Sequence, residues 1–305
     1  MVRIANAIER HAPASVEIVS DEPSAHLIMF YPIGADWIPL IEEAEAAGKR
    51  FALVQCCVKS TGASCSTWWP VWKRSLCTWS YLDLNFLAFA ENAPPIELCD
   101  DREDSDPAAW AAKYGLPDSR FYYAPLGVDD AFLPPNYSRS DRRTVVTTGH
   151  VSGCPAEAIY EVWEAALSCG YRVTHVGPKL PGWRPGVRVR QGVSDQELRL
   201  IYRSAAFVGA LRYVEGFELP ALEGLASGAT PILFDQSDLK HWYGDHALYV
   251  PEVEGTELVV ALSDIFHDHE YDPDVRPLDI QQEIVQRFDW STLVGEFWQR
   301  ILSNI

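Results

Sequence analysis

Apolar positions along this chain switch repeatedly between short continuous runs and helical repeats, the alternation expected where strands and helices are layered in an α/β fold. Residues 2–10 read as a helix, 15–20 as extended chain, and 26–31 as a buried strand closed by Pro32 and Gly34. Trp37, Leu40, Ile41, Ala44 and Ala47 then recur at helical spacing until Gly48 stops them, and 51–58 form the next strand. This is how a doubly wound sheet opens. A less regular aromatic stretch follows, ahead of a helix expected near 107–114.

The alternation resumes further on. Residues 144–148 make a strand, 156–168 a helix with Ile159, Val162, Trp163 and Ala166 on one face, and 171–176 another strand. Ser194 with Glu197 reads as a capping box opening a helix that runs to Ala206, and 206–211 is a short strand. The polar stretch 136–143 separates the two series as a linker. The expected division is therefore 1–135, 136–285 and a closing helix over 286–305.

The densest chemistry lies between Arg212 and Phe234, where Glu215 sits in a glycine-containing loop and Glu223 falls one turn inside the helix that follows. Gly216 permits a tight path, Pro220 suits a first helical turn because its missing N–H has no partner there, and Gly228 terminates the helix. The free N–H groups at such a helix mouth form an anion site suited to a diphosphate. Helical side chains lean toward the amino end, so Glu223 is expected to point back at that mouth. Two carboxylates beside a diphosphate call for neutral donors as partners, such as sugar and ribose hydroxyls.

Composition narrows the possibilities. At 305 residues and 48% hydrophobic content, two modest cores fit better than one. No run approaches the roughly 18 apolar residues of a membrane span and no signal peptide is evident, so a cytoplasmic protein is expected. Seven cysteines, with Cys56 and Cys57 adjacent and no Cys-x-x-Cys pair, argue against a disulfide framework or a zinc ribbon. The net charge is −18, and it is evenly spread: residues 1–133 carry 10 Lys+Arg against 19 Asp+Glu, and the remainder 15 against 24. That balance disfavours a general nucleic-acid binder. One local exception is the group Trp68, Trp69, Trp72, Lys73, Arg74 and Trp79, whose rings and cations could stack on bases or sugar rings, or could equally be an amphipathic segment burying its tryptophans. Asp104-Ser105-Asp106 lies among other charges and reads as a solvated loop rather than a metal-holding pair.

The Arg212–Phe234 segment resembles the Glu-x7-Glu signature of the retaining nucleotide-sugar glycosyltransferases of glycosyltransferase family 4, also called group 1, departing from the usual wording mainly at Glu218 and Gly224. Two further stretches resemble family elements: Pro125, Gly127, Val128 and Asp129 match "Pro-x-Gly-Val-Asp", and Phe288-Asp289-Trp290 matches the closing "Phe-x-Trp". The resemblance covers about 121–305. It implies a GT-B architecture, two Rossmann-like domains facing a cleft, with the last helix crossing back to the first domain.

The same resemblance implies the roles. Hexose transfer from a nucleotide diphosphate sugar, with retained configuration and no metal or other cofactor, would place Glu215 against the sugar. Backbone groups of Gly216, Phe217 and Leu219 would hold the diphosphate with Arg212, Glu223 would bind ribose, and the backbone near Val193 would read the base. Relatives commonly carry Gly-Arg and then Lys-Gly, where this chain has Gly149-His150 and Ser152-Gly153-Cys154-Pro155. His150, Lys179 and Arg184 are therefore candidate substitutes. The acceptor hydroxyl stays open among glycan, lipid carrier, small metabolite and protein. Two alternatives stand beside this reading: a phage-type enzyme glycosylating hydroxymethylpyrimidines in DNA, with Trp68, Trp69, Trp72, Lys73 and Arg74 on the acceptor side, and a non-catalytic GT-B-like module binding a nucleotide-sugar or glycan.

Overall fold

The computed structural model describes residues 2–19, 22–32, 37–55, 65–81, 118–129, 132, 143–149, 157–213, 217–268, 283–284 and 286–305. The chain forms two units, one comprising residues 1–127 and 290–305, the other residues 128–214 and 218–289; Phe217 belongs to the first.

In the first unit, helix α1 (Val2–Arg10) precedes strand β1 (Leu27–Phe30), helix α2 (Ile38–Ala46), strand β2 (Arg50–Gln55), helix α3 (Cys65–Arg74), and strands β3 (Thr78–Ser80) and β4 (Phe121–Tyr123). The four strands lie in the order β1-β2-β3-β4, every neighbouring pair parallel. Strands this short bury little by themselves, and aromatic rings supply the rest. Trp79 on β3 is fully buried, its ring 5.3 Å from both Tyr122 and Phe297 and 6.1 Å from Trp290, and its Nε1 donates to the Ala124 carbonyl at 3.0 Å. A buried indole needs such an acceptor.

Trp290 and Phe297 belong to the last helix of the chain, Trp290–Ser303, which also buries Leu293, Val294, Trp298 and Ile301 in this unit. Trp298 Nε1 donates to the Ile8 carbonyl of α1 at 3.1 Å. Gly127 lies against the Trp290 indole so closely that any side chain there would run into the ring. Two motifs far apart in sequence are thus fitted together by one missing methyl group.

The second unit contains β5 (Thr144–Thr148), α4 (Ile159–Ser168), β6 (Arg172–Val176), β7 (Val187–Arg190), α5 (Asp195–Arg203), β8 (Phe207–Gly209), α6 (Leu219–Ala226), β9 (Thr230–Phe234), α7 (Ser237–Tyr243), β10 (Leu248–Val250) and α8 (Gly255–Asp268); the closing helix of the first unit is α9. The sheet order is β10-β9-β8-β5-β6-β7 and all its pairings are parallel. Counted within the unit this is 6-5-4-1-2-3, the doubly wound order, and it reverses between β5 and β8. Val145, Val173, Val187 and Phe207 share a core with Val162, Trp163 and Ala166 of α4 and Leu258, Leu262 and Phe266 of α8. Val208 alternates to the other face and meets α6. Helices therefore cover both faces of the sheet, as a run of nearly all-apolar parallel strands requires. The foreseen capping box is present, Ser194 Oγ accepting from Glu197 N at 3.3 Å and the Glu197 carboxylate accepting from Ser194 N at 2.9 Å. Strands β3, β7 and β10 and helices α7 and α8 were not foreseen, being short or preceded by irregular chain.

Candidate functional site

In a doubly wound sheet the first strand sends its helix to one face and the fourth sends its helix to the other, so a crevice opens at the carboxyl ends of those two strands. Here they are β5 and β8, paired Val145 to Phe207 through Thr147 to Gly209. A small pocket lies at that end, lined by Thr148 from β5, by Glu157, Ala158, Ile159 and Val162 at the start of α4, and by Gly209, Ala210, Leu211, Arg212 and Glu218 from β8 to the start of α6.

Arg212 organises it. Its Nη2 lies 3.0 Å from Glu157 Oε1 and its Nε lies 3.5 Å from Glu218 Oε1. The Glu157 side chain is 9% exposed and that of Glu218 only 1%, against 29% for Arg212. Two carboxylates at that depth require a cation, because a buried charge without one carries a penalty of several kcal/mol. The chain segments bearing the pair are tied together as well: Glu157 and Arg212 form an isolated antiparallel bridge, and Ala158 N donates to the Leu211 carbonyl at 3.0 Å. Next to Arg212, Tyr213 gives its hydroxyl to the Val253 carbonyl at 2.8 Å, and desolvation, aided by Glu161, Glu254 and Glu252, pushes its phenol up to about 12. It stays neutral at physiological pH.

Helix α6 starts where the sequence indicates, with Pro220 in its first turn and Glu218 as the extended N-cap residue. Glu223 is buried, at 4% exposure. Gly224 is explained by contact, since a side chain there would come within 2.5 Å of Val208 Cγ2 on β8. The departure at Gly224 thus lets α6 seat closely on its strand.

The remaining sequence candidates fall differently. Glu215, Gly216 and His150 lie outside the described residues. Leu219 is half-buried as the first residue of α6, and Val193 is half-buried between β7 and α5. Phe217 is buried in the first unit with its ring edge-on to Tyr81 at 6.2 Å. Lys179 is exposed, its ammonium 5.2 Å above the Trp183 ring, and Arg184 pairs with Glu164 at 2.9 Å. Neither is among the residues lining the pocket at the β5–β8 ends.

The aromatic and basic group needs correction. Trp72 and Trp79 are fully buried, so neither offers a ring face to a ligand. Helix α3 turns Trp72 inward while Lys73 and Arg74 stay outside, which is the ordinary division of an amphipathic helix. Arg74 pairs with Glu45 at 3.0 Å, and the Lys73 carbonyl accepts from Arg120 at 3.1 Å. Trp68 and Trp69 lie on α3 with side chains outside the described set. Sequence reading missed Glu157 and Thr148. An acid just ahead of a helix is a common feature, and its partner Arg212 is too distant in sequence for any local pattern to join them.

No family model matches the chain, and no curated protein matches it in sequence. Solved structures do. Sucrose-phosphate synthase from Thermosynechococcus elongatus superposes with a TM-score of 0.63 at 12% identity, over 91% of this chain and 74% of that one. HepE from Anabaena, in complex with UDP-glucose, gives 0.64 at 12% identity over 99% and 82%. The α,α-trehalose-phosphate synthase (UDP-forming) from Burkholderia xenovorans gives 0.59 at 12% over 90% and 72%. At such identities the likeness is one of fold, and that fold is GT-B: two parallel α/β sheets, the second with the full doubly wound order.

Proposed function

We propose that this chain is a nucleotide-sugar-dependent glycosyltransferase that moves a hexose to an acceptor hydroxyl with retention of configuration. The observation that carries the reading is the pocket at the β5–β8 switch point, beside the start of α6, in a fold whose solved examples include a protein in complex with UDP-glucose. Switch points are where such sheets take nucleotides.

In this reading the donor lies against the second unit. The amino end of α6 and the backbone before it receive the diphosphate, and Glu223 takes the ribose hydroxyls. Glu215 faces the sugar and stabilises positive charge developing at its anomeric carbon, while the helix end stabilises the departing diphosphate. The bond from the anomeric carbon to the diphosphate oxygen breaks, the acceptor oxygen bonds from the same face, and the acceptor proton passes to the leaving phosphate. The helix field and neighbouring N–H groups supply the electrostatics without a metal. The second unit is the donor side and the first, which includes α9, the acceptor side. The DNA-directed alternative loses the ring faces of Trp72 and Trp79, and no other observation favours it.

The test is nucleotide release from UDP- and GDP-sugars by wild type and by Glu215→Ala. A loss of at least about 100-fold in turnover with unchanged melting is expected. Near-normal turnover in the variant would remove Glu215 from its role, and no release or binding of any nucleotide-sugar by wild type would remove the reading itself.

A further inference from the structure

Glu218 stands where the resembled motif has glycine, and its backbone is extended at φ −97° and ψ 93° at the N-cap of α6. The helix field draws a negative charge in that place toward the first-turn N–H groups, although glutamate is longer than the residues that usually cap a helix. Glu218 is held elsewhere. Its side chain makes no capping hydrogen bond; its carboxylate lies instead toward Arg212 Nε at 3.5 Å. Arg212 is itself anchored to Glu157 at 3.0 Å, and the Glu218 backbone is fixed by the Tyr243 hydroxyl, which donates to its carbonyl at 2.6 Å.

We infer that Arg212 is a positioning residue. Together with Glu157 it draws the Glu218 carboxylate off the amino end of α6 and keeps that end clear for an incoming diphosphate. Arg212 then serves the ligand indirectly, in contrast to the direct diphosphate contact that the sequence suggested. Without Arg212 the Glu218 carboxylate turns onto the helix end and occupies the place of the anion. The inference rests on the donor-site reading above.

A double-mutant cycle separates position from contact. Arg212→Met, Glu218→Gln and the double variant are compared by thermal unfolding without ligand and by titration with UDP and with inorganic pyrophosphate. Arg212→Met should lower the melting temperature by about 5 °C or more, because it leaves a buried carboxylate without its cation, and should weaken UDP binding at least about 10-fold. Glu218→Gln removes the competing charge. The double variant should therefore recover the part of the melting loss that Glu218 causes, with Glu157 still lacking its cation, and bind UDP within roughly 3-fold of wild type. An undiminished loss of UDP affinity in the double variant makes Arg212 a direct ligand and overturns the inference, as do strictly additive melting losses. Both of those outcomes leave the transferase reading standing if wild type binds UDP. Wild type that binds no nucleotide diphosphate overturns that reading and the clearing role together, even where the melting cycle keeps its coupling.

Discussion

The two units build parallel α/β sheets from similar materials in different strand orders. In the first unit Trp79 meets Tyr122, Trp290 and Phe297, and in the second Tyr171, Phe207 and Phe266 form a comparable ring cluster beside aliphatic strands covered by helices on both faces. Among the described residues the strands of the first follow one order, and those of the second reverse between β5 and β8. A crevice follows from that reversal and not from the material, so the ion-paired pocket is found in the second unit. Chemistry in this chain tracks topology.

The contrast can be broken most forcefully at Trp79. Trp79→Ala should cost about 3–5 kcal/mol by emptying the ring cluster, and the loss should be confined to the first unit. Hydrogen exchange read by mass spectrometry should speed up in peptides covering 50–55, 78–81 and 121–123 and leave 144–148 and 207–209 unchanged; equal acceleration in both units would erase the distinction. Glu223→Ala should weaken donor binding about 10-fold or more, as expected for a buried carboxylate that bonds ligand hydroxyls. Calorimetric titration with UDP checks this, and unchanged affinity would take Glu223 out of the donor site.

Smaller effects sharpen the picture of the second unit. Gly224→Ala forces a methyl group onto Val208, and a loss of about 1–3 kcal/mol is expected with faster exchange in 207–209 and 219–226. Ser194→Ala should cost about 1 kcal/mol through loss of the cap on α5. Hydrogen bonds from the Ser194 backbone and hydroxyl hold the Glu197 carboxyl below its ordinary value of 4.5. That contribution is present above pH 4.5 and vanishes as pH falls through the depressed folded value, so the gap between wild type and Ser194→Ala should narrow in acid. A constant gap across that range would show that the box does not act through ionised Glu197.

Much of this fold could be read directly. The helices at 2–10 and 219–226 and the strand at 144–148 carry strong periodicity or clear stop signals, and the structure has all three. The order of the strands is a different kind of information, since it depends on pairings between distant segments that no local pattern encodes. The site divides along the same line. Arg212, the one sequence candidate among the pocket-lining residues, and the start of α6 were visible because one short segment contains them, while the pairing of Arg212 with Glu157 required the chain to bring β5 beside β8. Trp72 shows the reverse error, a residue of suggestive chemistry that packing assigns to the core.

The central claim is that the switch-point pocket of the second unit accepts a nucleotide diphosphate sugar as a donor for transfer. Its most direct test is calorimetric titration of the wild-type protein with a panel of UDP- and GDP-sugars, followed by assay of nucleotide release for any that bind. The account predicts saturable binding of at least one donor, slow release of its nucleotide, and loss of that release in Glu215→Ala with binding retained. Absence of binding across the panel would contradict it.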